Sequence, residues 1–329
     1  GVEPCDVDAG VFWDAGQVSF PTPPENVRAM DIRLTLTKEV GARLIPTDQR
    51  QSFADRQPSE GAQAVLRLTR IRARHGEGLL PVRDDDLLPY LMDTPMLNVT
   101  AESVRDRAAT LRAVDRGMAT ISGEMQRWMA ERFVEDDFLP LADAGALARA
   151  PRGSRFHAAI LLTALARAAG IPARLVLGLH PEGDRWRSTV WTELHTGDWV
   201  SVDPVTGDLI EDALHVKLLH AADETELREQ AQRLRGALRI DVLAVEELVP
   251  GEAGALRTGI LGGVYTDRDY RCSFKAPEGW KIERRKKATE TEITIWPETG
   301  SDVRCEILLS RYPYPIATRE AFDAKVRAL

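Results

Sequence analysis

From Val27 the chain alternates apolar and polar residues through VRAMDIRLTL, and it does so again in AVLRLTRIRAR. A period of two with one apolar face predicts half-buried antiparallel strands. The polar loop TDQRQSFADRQPSEG separates them and a Pro-rich irregular stretch precedes them, so residues 1–85 read as a small β-rich domain. Beyond DDDLLPYLMDTPMLNV the period lengthens to that of a helix. Thr100 stands where a cap for AESVRDRAATLRAV belongs. A second helix, ISGEMQRWMAERFV, sets Met125, Trp128, Met129 and Phe133 on one face, a pattern of core residues rather than of a ligand box.

A third helix is predicted from Ser154 to Ala169, with Ala158, Leu161, Leu165 and Ala168 as an apolar stripe that Ile160 and Ala164 widen. Gly170 and Pro172 end it. Its small, almost wholly apolar surface predicts a helix buried in the middle of a domain. Arg174–Leu179 then reads as a strand, and TVWTELH–TG–DWVSVDP as a hairpin around a two-residue Thr196-Gly197 loop. A polar helix over Asp223–Leu234 leads into the strand RIDVLAVEEL. Residues 86–250 thus form a core with a trailing helix and strand. Residues 251–262 are a linker by composition, and residues 263–329 form a small α+β domain of alternating strands closed by the helix REAFDAKVRAL.

Composition narrows the function classes. Of the 43 basic residues 7 are Lys and 36 Arg, a bias expected of a GC-rich bacterial source. A net charge of −8 argues against nucleic acid or anionic lipid as partner. The cluster KIERRKK is read as a solvated strand or turn. No apolar run reaches the roughly 20 residues of a membrane span. Because the chain opens at Gly1 without Met, a removed leader and an exported location are the expectation. Three cysteines are too few for a disulfide scaffold; Cys272 and Cys305 either pair, leaving Cys5 over, or stay thiols.

Ser154, in RGSRFHAA, marks the mouth of the buried helix, where free N–H groups favour a nucleophile or an anion. The run GSRFHAAILLTALARAAGIPARLVLGL, then TVWTEL, GDWVSVDPVTGD and ALHVKLL, resembles the core of the bacterial transglutaminase-like family over about Leu87–Leu219. That resemblance implies a papain-like α+β core, a buried helix against an antiparallel sheet, here flanked by small β-rich domains. It also implies a Cys at the helix start, a His in HAW-x-E and an Asp in W-V-x-x-D-P. Carried over, the Asp is Asp203, the His position is Thr189 and the Cys position is Ser154. Trp191 and Glu193 complete the HAW-x-E text, and Trp199 opens the W-V-x-x-D-P text. The third member is present and the two reacting members are replaced.

A serine hydroxyl needs a positioned base, and threonine does not titrate. His195 shares the strand face of Thr189 but lies six residues along, displaced by about 20 Å. His157, one helical turn after Ser154, is the surviving base candidate, and its other reading is a semi-buried helix residue packed on the sheet; that of Ser154 is an N-cap whose oxygen accepts from the His157 backbone N–H. His75, His180, His215 and His220 show no metal spacing and no Gly-rich phosphate loop is present, so no metal or cofactor is expected. Two functions follow. One is a catalytically degenerate transglutaminase-like module that binds a protein or peptide. The other is an acyl-transfer enzyme using Ser154, or a form of one inactivated by Cys-to-Ser replacement.

Overall fold

The computed structural model describes residues 12–36, 45–54, 63–112, 117–136, 140–248, 259–261, 264–267, 272–277, 279–286, 290–297 and 305–310. The chain divides into two compact units, Gly1–Leu248 and Val249–Leu329.

In the first unit the elements run β1 (Asp14–Gln17), β2 (Val27–Leu36), β3 (Gln51–Phe53), β4 (Gln63–Thr69), α1 (Glu102–Arg112), α2 (Met118–Arg132), β5 (Val134–Glu135), α3 (Ala144–Arg149), β6 (Arg152–Gly153) and α4 (Arg155–Ala168). They continue with β7 (Ala173–Glu182), β8 (Arg185–His195), β9 (Trp199–Val202), β10 (Val216–Ala221), α5 (Glu224–Leu234) and β11 (Leu238–Glu247). Two antiparallel sheets result. One has the order β1-β8-β7-β10 with β9 also on β8, and the other the order β11-β2-β4-β3.

The expected break near residue 85 falls inside this unit, for two physical reasons. The chain returns to the N-terminal sheet at its end, β11 pairing β2 along its length. The apolar faces of both sheets also merge in one core, where Ile32, Leu34, Leu66 and Leu68 join Leu177, Leu218 and Leu238. Alternation predicted β2 and β4 correctly, but part of the polar loop between them forms β3, because Gln51–Phe53 pairs Leu66–Leu68. Thr100 does not cap α1; its hydroxyl donates to Asp93. The hairpin loop spans Thr196–Asp198, three residues, with Gly197 at φ +116°.

α4 is the buried helix the stripe predicted, with twelve of its fourteen residues buried. It packs against one face of β7 and β8, where Thr192 Oγ1 lies 3.2 Å from Thr163 Oγ1 and donates to the Ala159 carbonyl at 3.3 Å. The other face carries Arg174, Val176, Gly178 and His180 of β7 opposite Glu193, Trp191, Thr189 and Arg187 of β8. On the outer edge of β8, β1 covers residues 185–187 and β9 covers residues 192–195. Thr189–Trp191 therefore lies at a gap between two short edge strands.

The second unit contains β12 (Gly259–Leu261), β13 (Val264–Asp267), β14 (Cys272–Lys275), β15 (Trp280–Lys286), β16 (Glu290–Pro297) and β17 (Cys305–Ser310). They form two three-stranded antiparallel sheets, β12-β13-β14 and β15-β16-β17, as the alternation predicted. Cys272 and Cys305 stand on different sheets, and Cys305 is an exposed free thiol, so the pairing left open above is not made. Cys5, most of the 251–262 linker and the C-terminal helix expectation lie outside the described residues.

Candidate functional site

The start of α4 is a reciprocal cap. Ser154 takes the N-cap position with extended backbone (φ −69°, ψ 171°), and its side chain accepts from the His157 backbone N–H. The His157 ring folds back so that Nδ1 receives the Ser154 N–H at 3.1 Å and lies 3.0 Å from Ser154 Oγ. The preceding Gly153, at φ +148°, makes room: a Cβ there would sit 2.8 Å from the imidazole. The far nitrogen, Nε2, faces the backbone N–H of Ala142 at 3.2 Å; a neutral imidazole has one acceptor nitrogen, so it accepts from one of the two N–H groups at a time. Ser154 is 3% exposed and His157 1%.

These contacts decide what His157 can do for Ser154. A general base must end as a cation whose two ring nitrogens are both N–H donors. Here each nitrogen already faces a backbone donor. In a working triad the base donates its second N–H to an acceptor. The polarity around His157 is the reverse.

Asp203 follows β9 and reaches the same corner. Its Oδ2 accepts from Arg155 Nη1 at 2.7 Å, while Oδ1 accepts from the N–H groups of Val205 (2.9 Å) and Thr206 (3.1 Å). Burial pushes the carboxyl up, but Arg155 and the two backbone donors outweigh it and hold Asp203 below the usual carboxylate range. The Arg155 guanidinium also comes within 3.8 Å of Glu135. Thr189, the expected His position, is half-buried on β8 opposite Gly178. Asp203 thus has a guanidinium where the family pattern has an imidazole.

The other motif residues are structural in their surroundings. Trp191, 1% exposed, lies across the sheet over Gly178, where a Cβ would meet the indole at 2.2 Å and the Val216 carbonyl oxygen at 2.4 Å. Glu193, 2% exposed, accepts from Lys217 Nζ at 2.6 and 2.9 Å, from Arg174 Nε at 2.7 Å and from Ser201 Oγ at 3.0 Å. Burial raises its carboxyl, yet Lys217 and Arg174 bring it down to about 2. The Arg174 guanidinium lies 3.9 Å over the ring of Trp199, which meets Tyr90 edge-on at 5.0 Å. His195 lies against Trp199 at the end of β8.

Sequence reasoning missed Arg155, Arg174 and Lys217. Lys217 left a signal, since a lone cation inside the apolar run VKLL implies a buried counter-charge. Arg155 left none, being one arginine among 36. Among the described residues no group of three or more His, Cys, Asp or Glu side chains is disposed to hold a metal ion, and no helix is long and apolar enough to cross a membrane.

Comparison with known proteins centres on the same stretch. Residues 123–204 match the transglutaminase-like superfamily. No curated protein sequence matches the chain. Among solved structures, a candidate cysteine protease from Cytophaga hutchinsonii is 14% identical, with a TM-score of 0.43 over 67% of this chain and 89% of its own. The periplasmic domain of TgpA from Pseudomonas aeruginosa is 15% identical, with a TM-score of 0.38 over 60% of this chain and 86% of its own. Residues 123–204, about a quarter of the chain, are thus similar to the transglutaminase-like superfamily.

Proposed function

We propose that this protein is a catalytically degenerate member of that superfamily, in which the core serves as a binding or structural module for a protein or peptide. The observation that carries the reading is the Arg155–Asp203 pair at 2.7 Å. A triad carboxylate acts by accepting an N–H from its histidine and favouring the imidazolium. Asp203 spends that capacity on a permanent cation, which moves no proton. Ser154 and Thr189 add neither a thiolate nor a base.

A second reading, acyl transfer by Ser154, is favoured by one observation: the 3.0 Å approach of Ser154 Oγ to His157 Nδ1. The backbone donors on both nitrogens of His157 weigh against it. Had a Cys been exchanged for Ser154, Thr189 and Arg155 would still leave the corner without a base.

Glutamine–amine crosslinking, peptide hydrolysis and ester hydrolysis by the purified chain are expected at the rate of buffer alone. Turnover that Ser154→Ala abolishes would overturn the proposal. The motif register is tested by building the reacting pair back. Ser154→Cys with Thr189→His should label with iodoacetamide faster than an ordinary exposed thiol, and adding Arg155→Gln should raise the rate again by freeing Asp203. The exported location expected from the sequence belongs to this reading and is tested by fractionating source cells.

A further inference from the structure

Within electrostatic reach of Arg155 and Asp203, two histidines that the sequence reading set aside are brought together. His180, near the end of β7, and His215, just before β10, continue the register that sets Leu179 opposite Val216. Their rings stack with centroids 4.2 Å apart and planes inclined by 34°. His215 Nδ1 lies 2.9 Å from both carboxylate oxygens of Asp212. Asp212 also accepts from the backbone N–H groups of Leu214 at 2.7 Å and His215 at 3.0 Å. The buried Arg50 donates to the carbonyl oxygens of Asp212 and His215, each at 3.2 Å. The edge of Trp191 closes the other side of the His215 ring at 5.7 Å. The segment after β9 is held elsewhere by the Val202–Leu209 bridge, the bond from the Ile210 N–H to the Ser201 carbonyl and the packing of Ile210 with Val176 and Trp191. Its Asp212–His215 turn meets the sheet through the rings of His180 and Trp191.

The charges facing His180 come from every element around it. Burial disfavours its cation most, followed by His215; Arg155 of α4 acts in the same sense, against Asp212 and Asp203. Arg187, its register partner on β8, is exposed. We infer that the His180–His215 stack is an acid-sensitive latch, which holds the Asp212–His215 turn against the sheet while His180 is neutral and loosens it when His180 takes a proton. The inference does not depend on whether the Ser154–Asp203 corner is catalytically silent.

Burial and His215 bring His180 from the ordinary imidazole value of 6.5 down to about 4. A histidine with a lowered folded value favours the closed form above its ordinary value, and that contribution is lost as pH falls from 6.5 towards 4. For a turn that frees His180 on opening, the ratio of closed to open forms should fall roughly ten- to sixty-fold between pH 7 and pH 4.5. The full chain is tested by hydrogen–deuterium exchange at both pH values, corrected for intrinsic rates. The expected result is a loss of protection confined to residues 212–215, with α1, α4 and β10 unchanged. His180→Leu and His180→Gln, of which either folded variant suffices, should remove the pH dependence. His220→Asn should keep it, because His220 is also held down to about 4 by burial, then by Arg174 and Lys217, but lies outside the stack. Protection that is independent of pH, an equal loss in the His180 variants, or a loss spread across the whole unit would overturn the latch.

Discussion

Glu193 and Asp203 both stem from the motif-bearing hairpin strands β8 and β9, and both are carboxylates held ionised by basic side chains. Their surroundings differ in kind. Glu193 receives donors fixed by three neighbouring strands, Lys217 from β10, Arg174 from β7 and Ser201 from β9, in a site closed to water. Asp203 receives one half-exposed guanidinium from the start of α4. The first cluster ties the sheet together whatever happens at the helix mouth. On the function proposed above, the second is a reacting position whose partners are replaced. The text HAW-x-E and W-V-x-x-D-P therefore mixes residues that build the sheet with residues that react.

The contrast can be broken first at Glu193. Glu193→Gln leaves Arg174 without its carboxylate and Lys217 with only the more distant Asp48, at 3.8 Å, and should destabilise the first unit by about 3–5 kcal/mol. That corresponds to a drop in Tm of roughly 10 °C by calorimetry. A drop of a degree or two would mean that the cluster is not what holds the sheet. Next in size is Gly178→Ala, whose methyl must displace the Trp191 indole or the Val216 carbonyl, costing about 1–3 kcal/mol in denaturant unfolding.

Asp203→Asn should cost less, about 1–2 kcal/mol, since the pair is partly exposed and the turn N–H groups keep an acceptor. Its sign with pH follows from the lowered carboxyl: the contribution of Asp203 is complete above the ordinary carboxylate value and is lost as pH falls below it. The gap between native and variant stability should therefore close in acid, and a gap constant from pH 6 to pH 3 would contradict the ion pair. The smallest effect is expected from Ser154→Ala, about 1 kcal/mol for a lost cap.

Much of the fold was legible because its signals are local. The stripe of Ala158, Leu161, Leu165 and Ala168 identified α4, and alternation identified β2, β4 and the strands of the second unit. What stayed hidden is long-range. The pairing of β11 with β2 joins residues some 200 apart, and nothing within either strand announces it. The candidate site divides the same way. Ser154 and His157 sit three residues apart, so the cap box could be read from spacing. Arg155 on Asp203, or His180 on His215, requires the sheet to be assembled before the residues meet.

The central claim is that no reacting group remains at the start of α4. It is tested most directly by incubating the native chain with a fluorophosphonate probe and mapping modified residues by mass spectrometry. The account predicts Ser154 unmodified after incubation long enough to label an active serine hydrolase to completion. A stoichiometric adduct on Ser154, lost on heat denaturation before labelling, would contradict it.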